Sequence, residues 1–175
     1  MDNSLFIRRA GEADIGVLVD FRLEMFRAMG WTDEGRLVEL AERYDLYVRA
    51  AMVSRDFVGW IAELDGEAVG SVAVLWEVVP PTVRNLSGRQ AYILALYVVP
   101  AARHRGIATQ LLETAVGYAR EEGADVVSLH YSPAGRSLYE RFGFASSPEM
   151  RLFTDPDSAS WAPVAPAHTD ADDAD

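Results

Sequence analysis

Arg103 and Arg105, with His104 between them, stand immediately before Gly106 in a chain that is otherwise strongly acidic. After Gly106 the apolar residues Ala108, Leu111, Leu112, Ala115, Val116 and Ala119 keep the spacing of one helix face. The basic turn therefore leads into a helix N-terminus. Amides of a helix's first turn lack intrahelical acceptors, and the macrodipole favours negative charge there. Two permanent cations at the same place make this an anion site, suited to a phosphate or pyrophosphate. Neither G-x-x-x-x-G-K-S/T nor G-x-G-x-x-G is present, which argues against a P-loop or a dinucleotide fold.

The elements that must position this turn are legible on both sides of it. Tyr92 to Val99 is an apolar run with the composition of a strand buried on both faces, ended by Pro100. Upstream, Leu5–Arg9 reads as a strand, and Leu18, Phe21, Met25 and Met29 mark a helix over 13–29 that Gly30 stops. Thr32 is the expected cap of a second helix over 33–53. Two strands, 57–64 and 68–79, flank Asp65-Gly66, a strong hairpin signal. Residues 80–90 form a loop. Downstream, Gly123 ends the helix after the basic turn, 126–131 makes a strand, Ser132-Pro133-Ala134-Gly135 a turn, 136–141 a short helix, and 142–153 the last strand or strands. The order β-α-α-β-β-β-α-β-α-β is an α/β arrangement with helices packed on a mixed sheet.

Composition bounds the partners. The 175 residues suit one domain, half are hydrophobic, and no run is long enough to span a bilayer. No basic-then-apolar leader is seen, so the expected setting is soluble and cytoplasmic. With no cysteine there can be no disulfide, no Cys-ligated metal and no cysteinyl acyl-enzyme. Of the formal charge of −11, six units come from aspartates at 155–175, a stretch rich in Ala, Asp and Pro with no Lys or Arg and one large apolar residue, Trp161. The expected division is a domain over 1–154 and an acidic tail over 155–175. A net acidic body disfavours nucleic acid as the main partner and suits a small polyanion on a local basic cluster.

Arg103-His104-Arg105-Gly106-Ile107-Ala108 matches R/Q-x-x-G-x-G/A and resembles the acyl-CoA pyrophosphate loop of the GNAT superfamily of N-acetyltransferases. Leu138-Tyr139-Glu140-Arg141-Phe142-Gly143-Phe144 is similar to that superfamily's late L-Y-x-x-x-G-F segment. The resemblance covers roughly residues 5 to 154. It implies a GNAT-type mixed, splayed β-sheet flanked by helices, and direct transfer of an acetyl group from acetyl-CoA to a primary amine. By position, the cofactor contacts would be Leu96, Tyr97, Val98 and Val99, whose free amides meet the thioester, then Arg103, His104, Arg105, Gly106, Ile107, Ala108 and Thr109. Ser132 and Ser137 would touch the CoA arm. Ser132 and Gly135 depart from the Asn and Ala common among relatives, which leaves that contact less assured.

A thioester is already activated, so positioning supplies much of the rate. What remains is a donor for the oxyanion, an acceptor for the ammonium proton and a donor for the thiolate. The resemblance puts Tyr139 in the last role. For the base, the usual central-strand carboxylate or imidazole is absent, leaving Glu77, His130 or water. Glu24, Met25, Met29 and Trp31, at the junction of the first two helices, would suit an amphipathic cation as acceptor. No metal is implied. The expected acceptor is a small amine metabolite or antibiotic. A protein Lys or N-terminal acetyltransferase and a non-catalytic acyl-CoA-binding module are the alternatives, and a homodimer is the candidate assembly.

Overall fold

The computed structural model describes residues 4–154, so the acidic tail and Trp161 lie outside the described residues. The elements are β1 (Leu5–Arg9), α1 (Ile15–Ala28), α2 (Glu34–Ser54), β2 (Phe57–Leu64), β3 (Glu67–Val78), β4 (Arg89–Val98), α3 (Ile107–Glu121), β5 (Val126–Leu129) and α4 (Arg136–Phe142). They build one five-stranded sheet in the order β1-β2-β3-β4-β5. Strands β1 to β4 are antiparallel to their neighbours, and β5 runs parallel to β4.

Alternation along the strands sorts the core into two layers. Val58, Trp60, Val72, Val74, Ala91 and Ile93 pack under the α3 stripe of Leu111, Leu112, Ala115 and Val116. Phe57, Ile61 and Ala73 point the other way, onto Ile15 and Leu18 of α1 and Tyr44 and Val48 of α2. Both faces of the sheet are covered, which is why these strands read as nearly unbroken apolar runs.

Turn chemistry follows the residues that demanded it. Asp65 and Gly66 take positive φ of 55° and 83°, the left-handed pair a two-residue hairpin needs. The cap of α2 is Asp33, whose carboxylate accepts from the Arg36 amide at 3.0 Å, one residue later than the expected Thr32. The strand expected over 142–153 is not formed among the described residues. Phe142 closes α4, Gly143 turns the chain with φ 97°, and 144–154 carries no regular structure. Pro148 interrupts any ladder there, and Met150 and Leu152 remain 98% and 87% exposed, so this segment has no covered face to hold it as a strand.

At the start of α1, Arg8 makes a bidentate pair with Asp14 at 2.7 and 2.8 Å and also binds Glu63 at 2.8 Å. This hydrogen bonding holds the Asp14 carboxyl at about 2. A depressed carboxyl pKa contributes stability above the unfolded value of about 3.9 and loses it as pH falls through the folded value. Asp14→Asn is therefore expected to cost about 1–2 kcal/mol at pH 7 after allowance for solvent screening. Urea melts of both proteins should converge as pH drops from 4 toward 2.

Candidate active site

The β4–β5 pair, at one edge of the sheet, comes apart. β5 pairs with β4 only from Gln90–Val126 to Ile93–Leu129, while β4 continues through Leu94–Val98 without it. A kink accompanies the parting. Ala95 takes φ 54°, the register against β3 shifts between Ser71 and Ala73, and the buried Ser71 hydroxyl donates to the Ala95 carbonyl at 3.2 Å. Such a bulge re-aims the strand beyond it. Gly70 lies opposite the kinked end, where a Cβ would sit 2.7 Å from the Tyr97 carbonyl oxygen, so only glycine admits this approach.

Alternation of the antiparallel ladder assigns the amides. The Val99 N–H donates to the Val69 carbonyl at 2.9 Å, facing β3. Val99 therefore cannot offer a free amide, a correction to the expected set. The Val98 N–H faces the other way, into the side that β5 has left. Arg103 reinforces that geometry by donating Nε to the Val98 carbonyl at 3.0 Å, with its guanidinium 5.9 Å from the Tyr97 ring centre. Arg103 thus locks the loop to the strand end as well as adding charge.

His104 and Gly106 take φ of 62° and 77°. Left-handed residues that alternate with others in a turn aim successive backbone N–H groups into one concavity. Among the described residues, the amides of 104–109 have no protein acceptor, whereas Gln110 N–H closes the first helical bond on Gly106 O at 3.1 Å. His104, Arg105 and Gly106 are exposed, and Ile107 is buried and roots the turn in the core. The turn thus presents amides without acceptors at the end of the open strand, an arrangement able to take an anion.

On the β5 side of the opening stand the turn at Ser132, whose carbonyl accepts from Gly135 N–H at 2.9 Å, and α4, with Ser137 exposed in its first turn. Tyr139 of α4 packs edge-on to Phe144 at 5.9 Å. Burial, with a smaller push from Tyr92, raises its phenol to about 12. No described residue hydrogen-bonds that hydroxyl.

Glu77 and His130 converge on the α1/α2 face of the sheet. Glu77 accepts from Gln90 Nε2 at 2.7 Å. It also lines a cleft of about 530 Å³ with Tyr47, Asp56, Leu75 and Trp76. His130, just past β5, hydrogen-bonds the Tyr92 hydroxyl through Nδ1 and Glu149 through Nε2 at 3.2 Å. Burial lowers the His130 pKa below its usual value, and Arg151 adds to this against the opposing pull of Glu149 and Glu77.

The expected acceptor residues do not come together around that cleft. Glu24 is exposed and bound to Arg27 at 2.9 Å, and Arg27 reaches on to Glu34 at 2.8 Å, so its charge is spent on the helix junction. Met25 is half-buried, Met29 is exposed, and Trp31 stacks edge-on with Phe26 at 6.4 Å. Sequence reasoning missed Tyr92, Asp56, Tyr47 and Glu149. Only the two-residue period linking Gln90 and Tyr92 on one face of β4 could have pointed to any of them. A second hollow, about 370 Å³ behind α3 at Arg9, Trp60 and Tyr118, holds none of these groups. Among the described residues there is no cluster of three or more His, Cys, Asp or Glu placed to hold a metal, and no helix is long and apolar enough to cross a membrane.

Comparison with known proteins agrees with this geometry. The family model for the acetyltransferase (GNAT) family matches residues 23–144. The chain is 32% identical over 146 residues to an uncharacterized N-acetyltransferase of Archaeoglobus fulgidus, covering 83% of this chain and 92% of that protein. It is 35% identical over 104 residues to the uncharacterized N-acetyltransferase YhfO of Bacillus subtilis, spanning 57% of this chain and 66% of the relative. A GCN5-related N-acetyltransferase from Ralstonia eutropha superposes with a TM-score of 0.80 at 26% identity, over 85% of this chain and 97% of that one. An acetyltransferase from Clostridium acetobutylicum, solved with acetyl-CoA, gives 0.79 at 28% identity, over 86% and 96%. These similarities, to which the parting of β4 from β5 conforms, place the chain in the GNAT family of acetyltransferases.

Proposed function

We propose that the protein transfers the acetyl group of acetyl-CoA directly to a primary amine of a small molecule. The observation that carries this is the run of amides without acceptors over 104–109, set at the end of the unpaired half of β4. An anion cradle and an open strand edge in line suit a ligand with a diphosphate at one end and an extended, amide-bearing arm at the other. In this reading His104, Arg105 and the amides from Gly106 to Thr109 hold the diphosphate, and Arg103 anchors the loop. The β4 edge, Leu96 to Val98, takes the arm, with Ser132 and Ser137 across the opening. The Leu96 N–H, which by alternation faces the same side as that of Val98 and lies nearer the root of the opening, serves as oxyanion donor, and Tyr139 stabilises the departing thiolate.

The acceptor belongs in the cleft on the α1/α2 face. Its volume is that of a small-molecule site, and Tyr47, Asp56 and Glu77 offer a ring and two carboxylates to an ammonium. Glu77, which lines the cleft, and His130, on the same face beyond it, are the two groups proposed to end up with the amine's proton.

Thiol release from acetyl-CoA against spermidine, tyramine, kanamycin, lysine and short peptides tests the reading. The sequence has no lysine, so lysine self-acetylation cannot supply a background. Release with a small amine and not with peptides is the expected result. Release with peptides alone would favour a protein acetyltransferase, and CoA binding with no release on any amine would favour a non-catalytic acyl-CoA module.

A further inference from the structure

We propose that Tyr92, rather than His130 itself, receives the proton of the acceptor amine, handing its own phenolic proton to His130 in the same step while Glu149 holds the imidazole in place. The proposal rests on the acetyl-transfer reading above.

Three bonds carry it. The Tyr92 hydroxyl meets His130 Nδ1, His130 Nε2 lies 3.2 Å from Glu149 Oε1, and Glu149 in turn accepts from Arg151 Nε at 2.7 Å. A carboxylate can only accept, so Nε2 carries the hydrogen and Nδ1 presents a lone pair to the phenol. Both imidazole nitrogens are then engaged, and no amine can reach either. The phenolic oxygen still has lone pairs free. Tyr92 is also well placed along the strand, since it pairs with Ser128 one step before the last β4–β5 pair, Ile93 with Leu129, at the root of the opening. Base, mediator and orienting carboxylate follow the logic of a nucleophile–histidine–acid triad, with a phenol standing where that triad has its hydroxyl.

The step balances. An N–H bond of the acylating amine breaks as an O–H bond forms on Tyr92. The original Tyr92 O–H breaks as Nδ1–H forms. The phenol is neutral before and after, and the new imidazolium faces Glu149. His130 is 47% exposed and returns the proton to water. A concerted handover avoids a free phenolate, which matters because burial raises the Tyr92 pKa above its ordinary value. The charged groups bearing on this chain are Glu77 from β3, Glu149 and Arg151 from the C-terminal segment, and Arg22 from α1.

Two measurements decide it. In ¹⁵N-imidazole NMR of the full chain, with His130→Gln assigning the resonance, His130 should be the Nε2–H tautomer at neutral pH, and Tyr92→Phe should move its Nδ1 signal. With whichever of spermidine, tyramine, kanamycin or lysine the wild type acetylates, Tyr92→Phe and His130→Gln should each lower kcat about 100-fold, and the double variant no further. Glu149→Gln should shift the acid limb of kcat to lower pH, since the charge that raises the His130 pKa is gone, a change that a merely structural carboxylate would not produce. An Nδ1–H tautomer, a Tyr92→Phe kcat within threefold of wild type, or multiplicative single effects would overturn the relay. A wild type that acetylates none of these amines would instead count against the acetyl-transfer reading.

Discussion

Gly106→Glu is expected to abolish acetyl-CoA binding while the fold persists. Gly106 holds φ 77°, and a Cβ built on it meets nothing within 4 Å, so a side chain there enters open space. The left-handed backbone costs a non-glycine residue about 1–2 kcal/mol, or several degrees in Tm for a domain of this size. Glutamate adds a negative charge at the point where the unpaired amides should meet a diphosphate. Repulsion and the lost approach together should weaken binding by at least about 100-fold, on the scale of 3 kcal/mol. Gly106→Ala separates the parts, since it carries the strain without the charge and should bind several-fold more weakly at most. Calorimetric titration with acetyl-CoA beside a thermal melt reads both quantities. Unchanged affinity in the glutamate variant would remove this loop from the site.

Tyr139→Phe is expected to lower kcat about 10- to 100-fold while the affinity for CoA stays within about twofold. With its phenol raised to about 12, Tyr139 stays protonated throughout the working range. The same shift makes it a reluctant acid. Full transfer to a thiolate of ordinary pKa near 8.5 would be uphill by roughly 3.5 units, on the order of 5 kcal/mol. In the proposed reading Tyr139 acts through a hydrogen bond to the sulfur as charge develops, without full proton transfer. A hydrogen bond to a charged group contributes about 1.5–3 kcal/mol, which sets the expected range. Loss of CoA affinity equal to the loss of turnover would make Tyr139 a packing residue of α4.

What could be read before folding was local. The Asp65-Gly66 turn, the stop at Gly30, the α3 stripe and the basic turn at 103–106 each depend on a few adjacent residues, and each lies where those residues require. What could not be read depends on pairing across the chain. Nothing marks Ala95 as the residue that takes φ 54° in a strand, because the bulge arises from Ser71 and Gly70 on β3. The Val99 amide is lost to Val69 by the phase of that same ladder. His130 was visible as a residue type, but its partners, Tyr92 and Glu149, stand 38 and 19 positions away. The terminal segment misled because Met150, Leu152 and Phe153 carry a strand's composition without a sheet neighbour to cover them. Local chemistry was legible wherever the physics was local, and the acceptor face, assembled from α1, α2, β3, β4 and the segment after α4, was not.

The decisive measurement is a crystal structure of the protein with acetyl-CoA bound. The diphosphate is expected on the amides between His104 and Thr109, with the thioester carbonyl accepting from Leu96 N–H in the space beside Leu94–Val98. A diphosphate bound elsewhere on the surface, or β4 and β5 zipped together beyond Ile93 with the thioester outside them, would contradict it.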